Sequence, residues 1–210
     1  MENLQAIIET INDAFEAKNT IRDKTLSRSR QLVRHCANAI RAIHRGHWED
    51  ADTLLATARE AATEMIEEVS AYPDLYFAGY TQDALKELAE AHLTLALVTD
   101  QALPAPESLA VEYPAYLNGL AEAMGELRRF SLDALRRGDV ATSEHLLQKM
   151  DDVYSWLITV DFPGAITGGL RRNTDMVRGV LERTRGDVTT ATRQEAMKAM
   201  LSEFERGLQS

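Results

Sequence analysis

Residues 81–98 read TQDALKELAEAHLTLALV, and this stretch decides the fold class. Its apolar residues recur at the three- and four-residue spacing of an α-helix and lack the period-two alternation of a half-buried strand. From Ala89 to Val98 the apolar residues surround the helix on more than one side, which indicates a helix buried in a core. The same pattern of Ala, Leu, Glu and Arg continues through most of the chain. The sequence therefore predicts an all-α fold.

Proline and glycine residues divide this pattern into separate helices. The predicted helices span about 2–16, 20–45, 48–70, 80–101, 114–137, 140–158, 167–185 and 189–207, and the first two can be continuous. The breaker-rich stretches are no longer than ordinary helix connections, and no repeat of 30–45 residues is visible. We therefore expect a single domain over 1–210, built as a bundle of about seven helices.

Composition excludes several classes of protein. The chain has 210 residues, of which 45% are apolar and 27% charged, as in ordinary folded proteins. Its single cysteine, Cys36, excludes an intramolecular disulfide and a zinc site built from cysteines. No signal peptide is visible, and no run reaches the roughly 18 apolar residues of a membrane span. These features predict a cytoplasmic protein without a membrane partner.

The first candidate site residues are Glu87 and Glu90, which stand three apart and so occupy neighbouring positions on one helix face. The helix around Glu90 is strongly apolar. A carboxylate buried there needs a partner, because an isolated buried charge is strongly disfavoured. The alternative is an exposed glutamate pair that precedes the buried part of the helix.

A second acidic pair, Glu122 and Glu126, stands four apart in YLNGLAEAMGELRRFSLDALRR, and Gly119 and Gly125 flank it. Each glycine inside a helix costs about 1 kcal/mol relative to alanine, which suggests that another backbone or a ligand approaches closely. The alternative is a solvated face on which Arg129 pairs with a neighbouring acid.

If the two helices pack face to face, their four carboxylates would repel one another unless a cation lies among them. Oxygen ligands favour Mg²⁺, or Mn²⁺, over zinc. A ferritin-like di-iron site requires Glu-x-x-His, whereas Glu90 and His92 are only two apart. The pattern thus favours a magnesium site over a di-iron site.

A stripe of arginines marks the candidate nucleic-acid interface. From Arg22 to Arg45, six arginines and one lysine stand against one aspartate, although the whole chain has a net charge of −10. Within this segment one stripe of a long helix carries Arg30, Arg34, Arg41 and Arg45. Guanidinium groups in a row suit bidentate contacts along a phosphate backbone. The alternative is that these arginines pair with acidic neighbouring helices.

At these same residues the chain resembles the translin family, and within it the branch of translin-associated factor X. The matching motifs are LSRSRQLVRHCANAIRAIHRG at 26–46, ALKELAEA at 84–91, YPAYLNGLAEAMGELRR at 113–129 and LRRNTDMVRGVLERTRGDVT at 170–189. Together these motifs span about three quarters of the chain.

The resemblance implies an all-α fold that assembles into closed homo-oligomers, such as an octameric ring or capsule, with single-stranded RNA or DNA held inside. In the factor X branch it implies a ribonuclease whose Mg²⁺ is held by four acids on two helices. Glu87 and Glu90 match the first pair, and Glu126 matches the glutamate of a Gly-Glu-Leu sequence. Glu122 stands where the family has aspartate, one methylene shorter.

These observations lead to one principal hypothesis and two alternatives. The principal hypothesis is a Mg²⁺-dependent endoribonuclease in which Glu87, Glu90, Glu122 and Glu126 hold the metal that activates water. The RNA backbone would be held by the arginine stripe together with Arg128 and Arg129. The first alternative is a non-catalytic ring that binds single-stranded RNA or DNA. The second is a helical assembly protein whose arginines pair with its own acids.

Overall fold

The computed structural model describes residues 2–208, and this part of the chain contains nine α-helices and no strand. Six helices are long and three are single turns. They are α1 (Glu2–His44), α2 (Trp48–Val69), α3 (Pro73–Tyr76), α4 (Gly79–Val98), α5 (Pro106–Leu109), α6 (Tyr113–Arg136), α7 (Val140–Leu157), α8 (Gly164–Thr167) and α9 (Leu170–Leu208). The predicted all-α class is confirmed.

The two ends of the chain differ from the predicted helix division. The first two predicted helices form one helix, α1, which the sequence left open. The predicted break near Gly186 is wrong, because α9 runs through it. A glycine inside a helix costs only about 1 kcal/mol, which a 39-residue helix tolerates. Six long helices and three single turns therefore replace the predicted seven.

The chain forms two compact units, and the expectation of one domain over 1–210 stays a prediction. One unit comprises the residues through His92 together with Pro104–Gly119, and the other comprises Leu93–Leu103 and the residues from Leu120 onward. The boundaries fall inside α4 and α6, so each of these helices contributes residues to both units.

The first unit is built around the pairing of α1 with α2. The chain reverses at Gly46, whose positive φ of 69° suits glycine and allows the Gly46 N–H to bond to the carbonyl of Ile43. The buried face of α2 repeats at intervals of four and three residues, the spacing of a helix that packs side by side with another helix. That face consists of Ala51, Leu55, Ala58, Ala62, Met65 and Val69.

The second unit contains the pairing of α7 with α9. Each helix buries residues at four- and three-residue intervals, namely Leu146, Met150, Val153 and Leu157 on α7, and Val177, Leu181, Thr184 and Val188 on α9. Ion pairs border this apolar contact, such as Arg185 with Asp151 at 2.7 Å. Among residues 2–208, no helix is both long enough and apolar enough to cross a membrane.

Candidate metal centre and nucleic-acid interface

Gly119 allows α6 to come very close to α4 in the first unit. A methyl group on Gly119 would lie 2.7 Å from the carbonyl oxygen of Lys86 and 3.0 Å from the amide nitrogen of Glu90. The backbone of α6 therefore packs directly on the turn of α4 that carries Glu87 and Glu90. The close approach expected at Gly119 is confirmed, whereas no atom of the described residues lies within 4 Å of the corresponding position on Gly125.

Three of the four predicted acidic ligands come together. Glu87, Glu90 and Glu122 each place a carboxylate oxygen within 4.8 Å of the other two. Glu90 is only 9% exposed, and Lys86 Nζ lies 3.9 Å from Glu87 Oε1. Carboxylates this close to one another repel, and a divalent cation among them would offset that repulsion. The donor set consists of oxygen alone and so fits Mg²⁺ or Mn²⁺.

Glu126 lies one helical turn after Glu122 on α6 and is partly buried. It is not among the three glutamates whose oxygens meet within 4.8 Å. No histidine or cysteine joins this acidic group in the part of the chain that the structure describes. The first three glutamates thus form the core of the candidate site, and Glu126 borders it along the helix.

Cys36 of α1 lies close enough to the acidic pair of α4 for the charges of Glu87 and Glu90 to affect its pKa. Its side chain is fully buried, and its thiol pKa is raised to about 12, first by burial and then by the negative charges of Glu87 and Glu90. The thiol therefore stays protonated and unreactive at neutral pH. No sequence pattern indicates that Cys36 is a neighbour of the acids, because a lone cysteine on the apolar face of a helix has the pattern of an ordinary core residue.

His92 follows Glu90 by two residues but is suited neither to proton transfer near neutral pH nor to charge pairing. Burial, and then the positive charge of Arg59, lower its pKa to about 4. The Nε2 atom is buried and has no hydrogen-bond partner among the described residues. The imidazole is therefore neutral near pH 7.

The four arginines of the predicted stripe are exposed, with Arg30, Arg34 and Arg41 on α1 and Arg45 directly after it. Arg41 donates to the side-chain oxygen of Asn38. Within residues 2–208, the other three side chains, Arg30, Arg34 and Arg45, form no hydrogen bond or ion pair. Their guanidinium groups are thus available to an external anion.

Pairing between α1 and acidic α2 exists, but a different arginine forms it. Arg28 donates to Glu64 at 2.5 Å and to Glu68 at 2.7 Å. These hydrogen bonds, with Glu64 the larger contributor, raise the pKa of Arg28. The sequence alone could not show that Arg28, and not Arg30 or Arg34, pairs with α2, because all three are arginines on the same helix.

The two remaining predicted arginines have different surroundings in the second unit. Arg128 donates to Thr184 Oγ1 at 3.0 Å and lies 2.9 Å from Asp187 Oδ2, and its side chain is only 23% exposed. Arg128 therefore links α6 to α9 through a hydrogen bond and an ion pair. Arg129 is exposed.

Comparisons with known proteins agree with this architecture. No family model matches the chain. The uncharacterized protein MJ0175 of Methanocaldococcus jannaschii is 30% identical over 194 residues, which cover 91% of this chain and 85% of that protein. Two structures of AfC3PO, one of its complex with duplex RNA, are 32% identical and superimpose with a TM-score of 0.82, covering 89% of this chain and 97% of theirs. The crystal structure of apo-NeC3PO has a TM-score of 0.80 at 21% identity, over 88% of this chain and 96% of its own, and supports the fold alone.

Proposed function

Because the chain belongs to the translin-like C3PO family, we propose that it is a Mg²⁺-dependent endoribonuclease acting on single-stranded RNA as a homo-oligomer. The observation that carries this proposal is the meeting of Glu87, Glu90 and Glu122 within 4.8 Å. Within the family, the match of Glu87, Glu90 and Glu126 to its acidic motifs supports the factor X branch.

Different residues of the chain would hold the metal ion and the RNA in the proposed reaction. Glu87, Glu90 and Glu122 would hold the ion, with Glu126 as the fourth acid. A bound divalent ion supplies an activated water and stabilises negative charge on the scissile phosphate. The RNA backbone would be held by charge, and without reading its sequence, by Arg30, Arg34, Arg41, Arg45 and Arg129. Arg128 would have to leave Thr184 and Asp187 to join them.

Glu90→Gln tests the proposal with the smallest change of shape. It removes a charge from the acidic group, and we expect cleavage of labelled single-stranded RNA to fall at least a hundredfold with binding retained. The measurement compares Mg²⁺ with a chelator. Glu60→Gln on α2, where Glu60 is exposed, is the matched control and should cleave like the parent.

The outcomes separate the proposed nuclease from its alternatives. Cleavage by Glu90→Gln at the parental rate would contradict the metal site, and Glu126→Ala tests the fourth acid in the same way. Binding without cleavage in the parent would favour a non-catalytic ring that binds single-stranded RNA or DNA. Duplex RNA belongs in the same assay, because AfC3PO has been solved in complex with it.

The two ends of the chain support self-association. Residues Leu4, Ile8, Ile11 and Phe15 of α1 lie on one stripe and are between 40% and 67% exposed. Near the end of α9, Met197, Met200, Leu201 and Phe204 are between 56% and 66% exposed. Four- and three-residue spacing of apolar side chains is typical of helices that pair with other helices. We therefore propose that second copies of the chain cover these stripes.

A further inference from the structure

A cavity with a volume of about 500 Å³ lies at the turn between α1 and α2. Its basic lining residues are Arg41 from the last turn of α1, with Arg45 and His47 from the turn that follows, and its one acid is Asp50. Asn38 and Thr53 add an amide and a hydroxyl to the wall. All of these residues belong to the first unit.

The charge in this cavity favours an anion. Arg41 lies in the last turn of α1, and Arg45 is the first residue after that helix, so both border the turn that leads to α2. Asp50 is turned towards His47, whose Nδ1 lies 3.6 Å from Asp50 Oδ2. Arg41 shares a hydrogen bond with neutral Asn38, and the Arg45 side chain has no bonding partner within residues 2–208. Two guanidinium charges therefore remain to meet a phosphate, the anion that their fork geometry suits.

An aromatic side chain adjoins the cationic cavity. A second cavity of about 420 Å³ is lined by Gly46, Trp48 and Glu49, and it shares His47 and Asp50 with the first. Trp48 is 43% exposed. A methyl group on Gly46 would lie 3.9 Å from the indole, an ordinary contact distance, so Gly46 borders the ring. Exposed aromatic rings beside cationic grooves stack unpaired bases in proteins that bind single strands.

The other tryptophan, Trp156, is 74% exposed and does not line the cavity that follows its helix. That cavity is lined in part by Arg171, Asp161 and Asp175, so it has two acids and one arginine. Only the turn between α1 and α2 combines, in the part of the chain the structure describes, unpaired guanidinium charge with an exposed indole.

We propose that this turn is a nucleotide-binding subsite in which Arg41 and Arg45 hold a phosphate and Trp48 stacks on the attached base. The inference rests on the proposed function for its natural ligand, one unpaired nucleotide of a single strand. Bases inside a duplex are already stacked on each other, so the subsite selects single-stranded RNA or a strand end.

The test uses Trp156→Phe protein, in which Trp48 is the only tryptophan. Titration with adenosine 5′-monophosphate in chelator should quench its fluorescence in a saturable manner. Adenosine, which lacks the phosphate, should bind at least tenfold more weakly, and inorganic phosphate should compete without quenching. In Trp48→Phe protein, where Trp156 remains, the nucleotide should leave the fluorescence unchanged.

Substitution of the phosphate ligands completes the test. Adding Arg45→Gln should raise the dissociation constant for the nucleotide at least fivefold, whereas adding Arg22→Gln, at an exposed arginine far from the cavity, should not. Circular dichroism on each variant verifies the fold. Equal affinity for nucleotide and nucleoside, absence of quenching, or quenching of Trp156 instead of Trp48 would each overturn the proposal.

This test is independent of cleavage. The same titration on Glu90→Gln protein should give the parental affinity, because the subsite does not include the acidic group. Loss of quenching with intact cleavage would refute the subsite alone. Intact quenching in a parent protein that does not cleave RNA would refute the nuclease alone.

Discussion

At the scale of single residues, Gly119 shows how a missing methyl group positions the acidic site. Helix propensity alone predicts that alanine at this position would stabilise α6 by up to about 1 kcal/mol. The structure reverses that expectation, because the added carbon would lie 2.7 Å from a backbone oxygen of α4. Backbone atoms cannot rotate away as a flexible side chain can, so the contact has to be relieved by separating the two helices.

We therefore predict opposite effects for the two glycines of α6. Gly119→Ala should lower the free energy of unfolding by about 1–3 kcal/mol, the usual cost of overpacking, and should also weaken cleavage by displacing Glu87 and Glu90. Gly125→Ala, whose added carbon meets no atom within 4 Å, should raise it by up to about 1 kcal/mol. Denaturant unfolding measures both. Stabilisation by Gly119→Ala would show that α6 does not pack so closely on α4.

At the scale of helices, the arginines of α1 have two separate roles. Arg28 pairs with α2, whereas Arg30 and Arg34 stay exposed and unpaired within residues 2–208. The difference follows from the position of α2 beside α1. Helical spacing places each arginine on its own helix but does not show which neighbours that helix meets.

This division predicts different salt dependences of RNA binding. In the double variant Arg30→Gln, Arg34→Gln, the slope of log affinity for single-stranded RNA against log salt should become shallower by about 1.4, since each lost phosphate contact removes about 0.7. Arg28→Gln should keep the parental slope and lower stability by less than about 1 kcal/mol, because the pair is partly exposed to water. Fluorescence anisotropy over a salt series measures the slope, and a shallower slope only in Arg28→Gln would contradict the assignment.

At the scale of the whole molecule, the charge is distributed very unevenly along an acidic chain. The net charge is −10, yet the segment from Arg22 to Arg45 carries six arginines and one lysine against one aspartate. An anionic strand is repelled by the rest of the surface and attracted to that segment. Exposed apolar residues are likewise concentrated at the start of α1 and near the end of α9. These residues favour assembly with further copies of the chain.

We predict that adding charge to the apolar stripe dissociates the assembly. Ile8→Asp with Ile11→Asp should lower the mass in solution, measured by analytical ultracentrifugation, because charges would be buried against another copy. Ala6→Asp with Ala17→Asp adds the same two charges on the opposite side of α1 and should leave the mass unchanged. If both double variants or neither dissociate, the stripe is not the interface.

The sequence alone determined those properties that depend on spacing along one helix. It determined the helical class, most of the helix limits, the placement of Glu87 and Glu90 on one face and the alignment of Arg30, Arg34 and Arg41 on α1. It did not predict that α9 continues through Gly186, although one glycine inside a 39-residue helix costs only about 1 kcal/mol. Helical periodicity is local, so residues three, four or seven apart share a face whatever lies elsewhere.

Only the tertiary structure decided which of these residues meet across the chain. It brought Glu122 to Glu87 and Glu90 while leaving Glu126 beside that group, and it placed Cys36 near the acids. It also assigned Arg28 and Arg128 to ion pairs and placed Arg45 and Trp48 on two adjoining cavities at one turn. These outcomes depend on contacts between residues far apart in sequence, which no local pattern of residue types specifies.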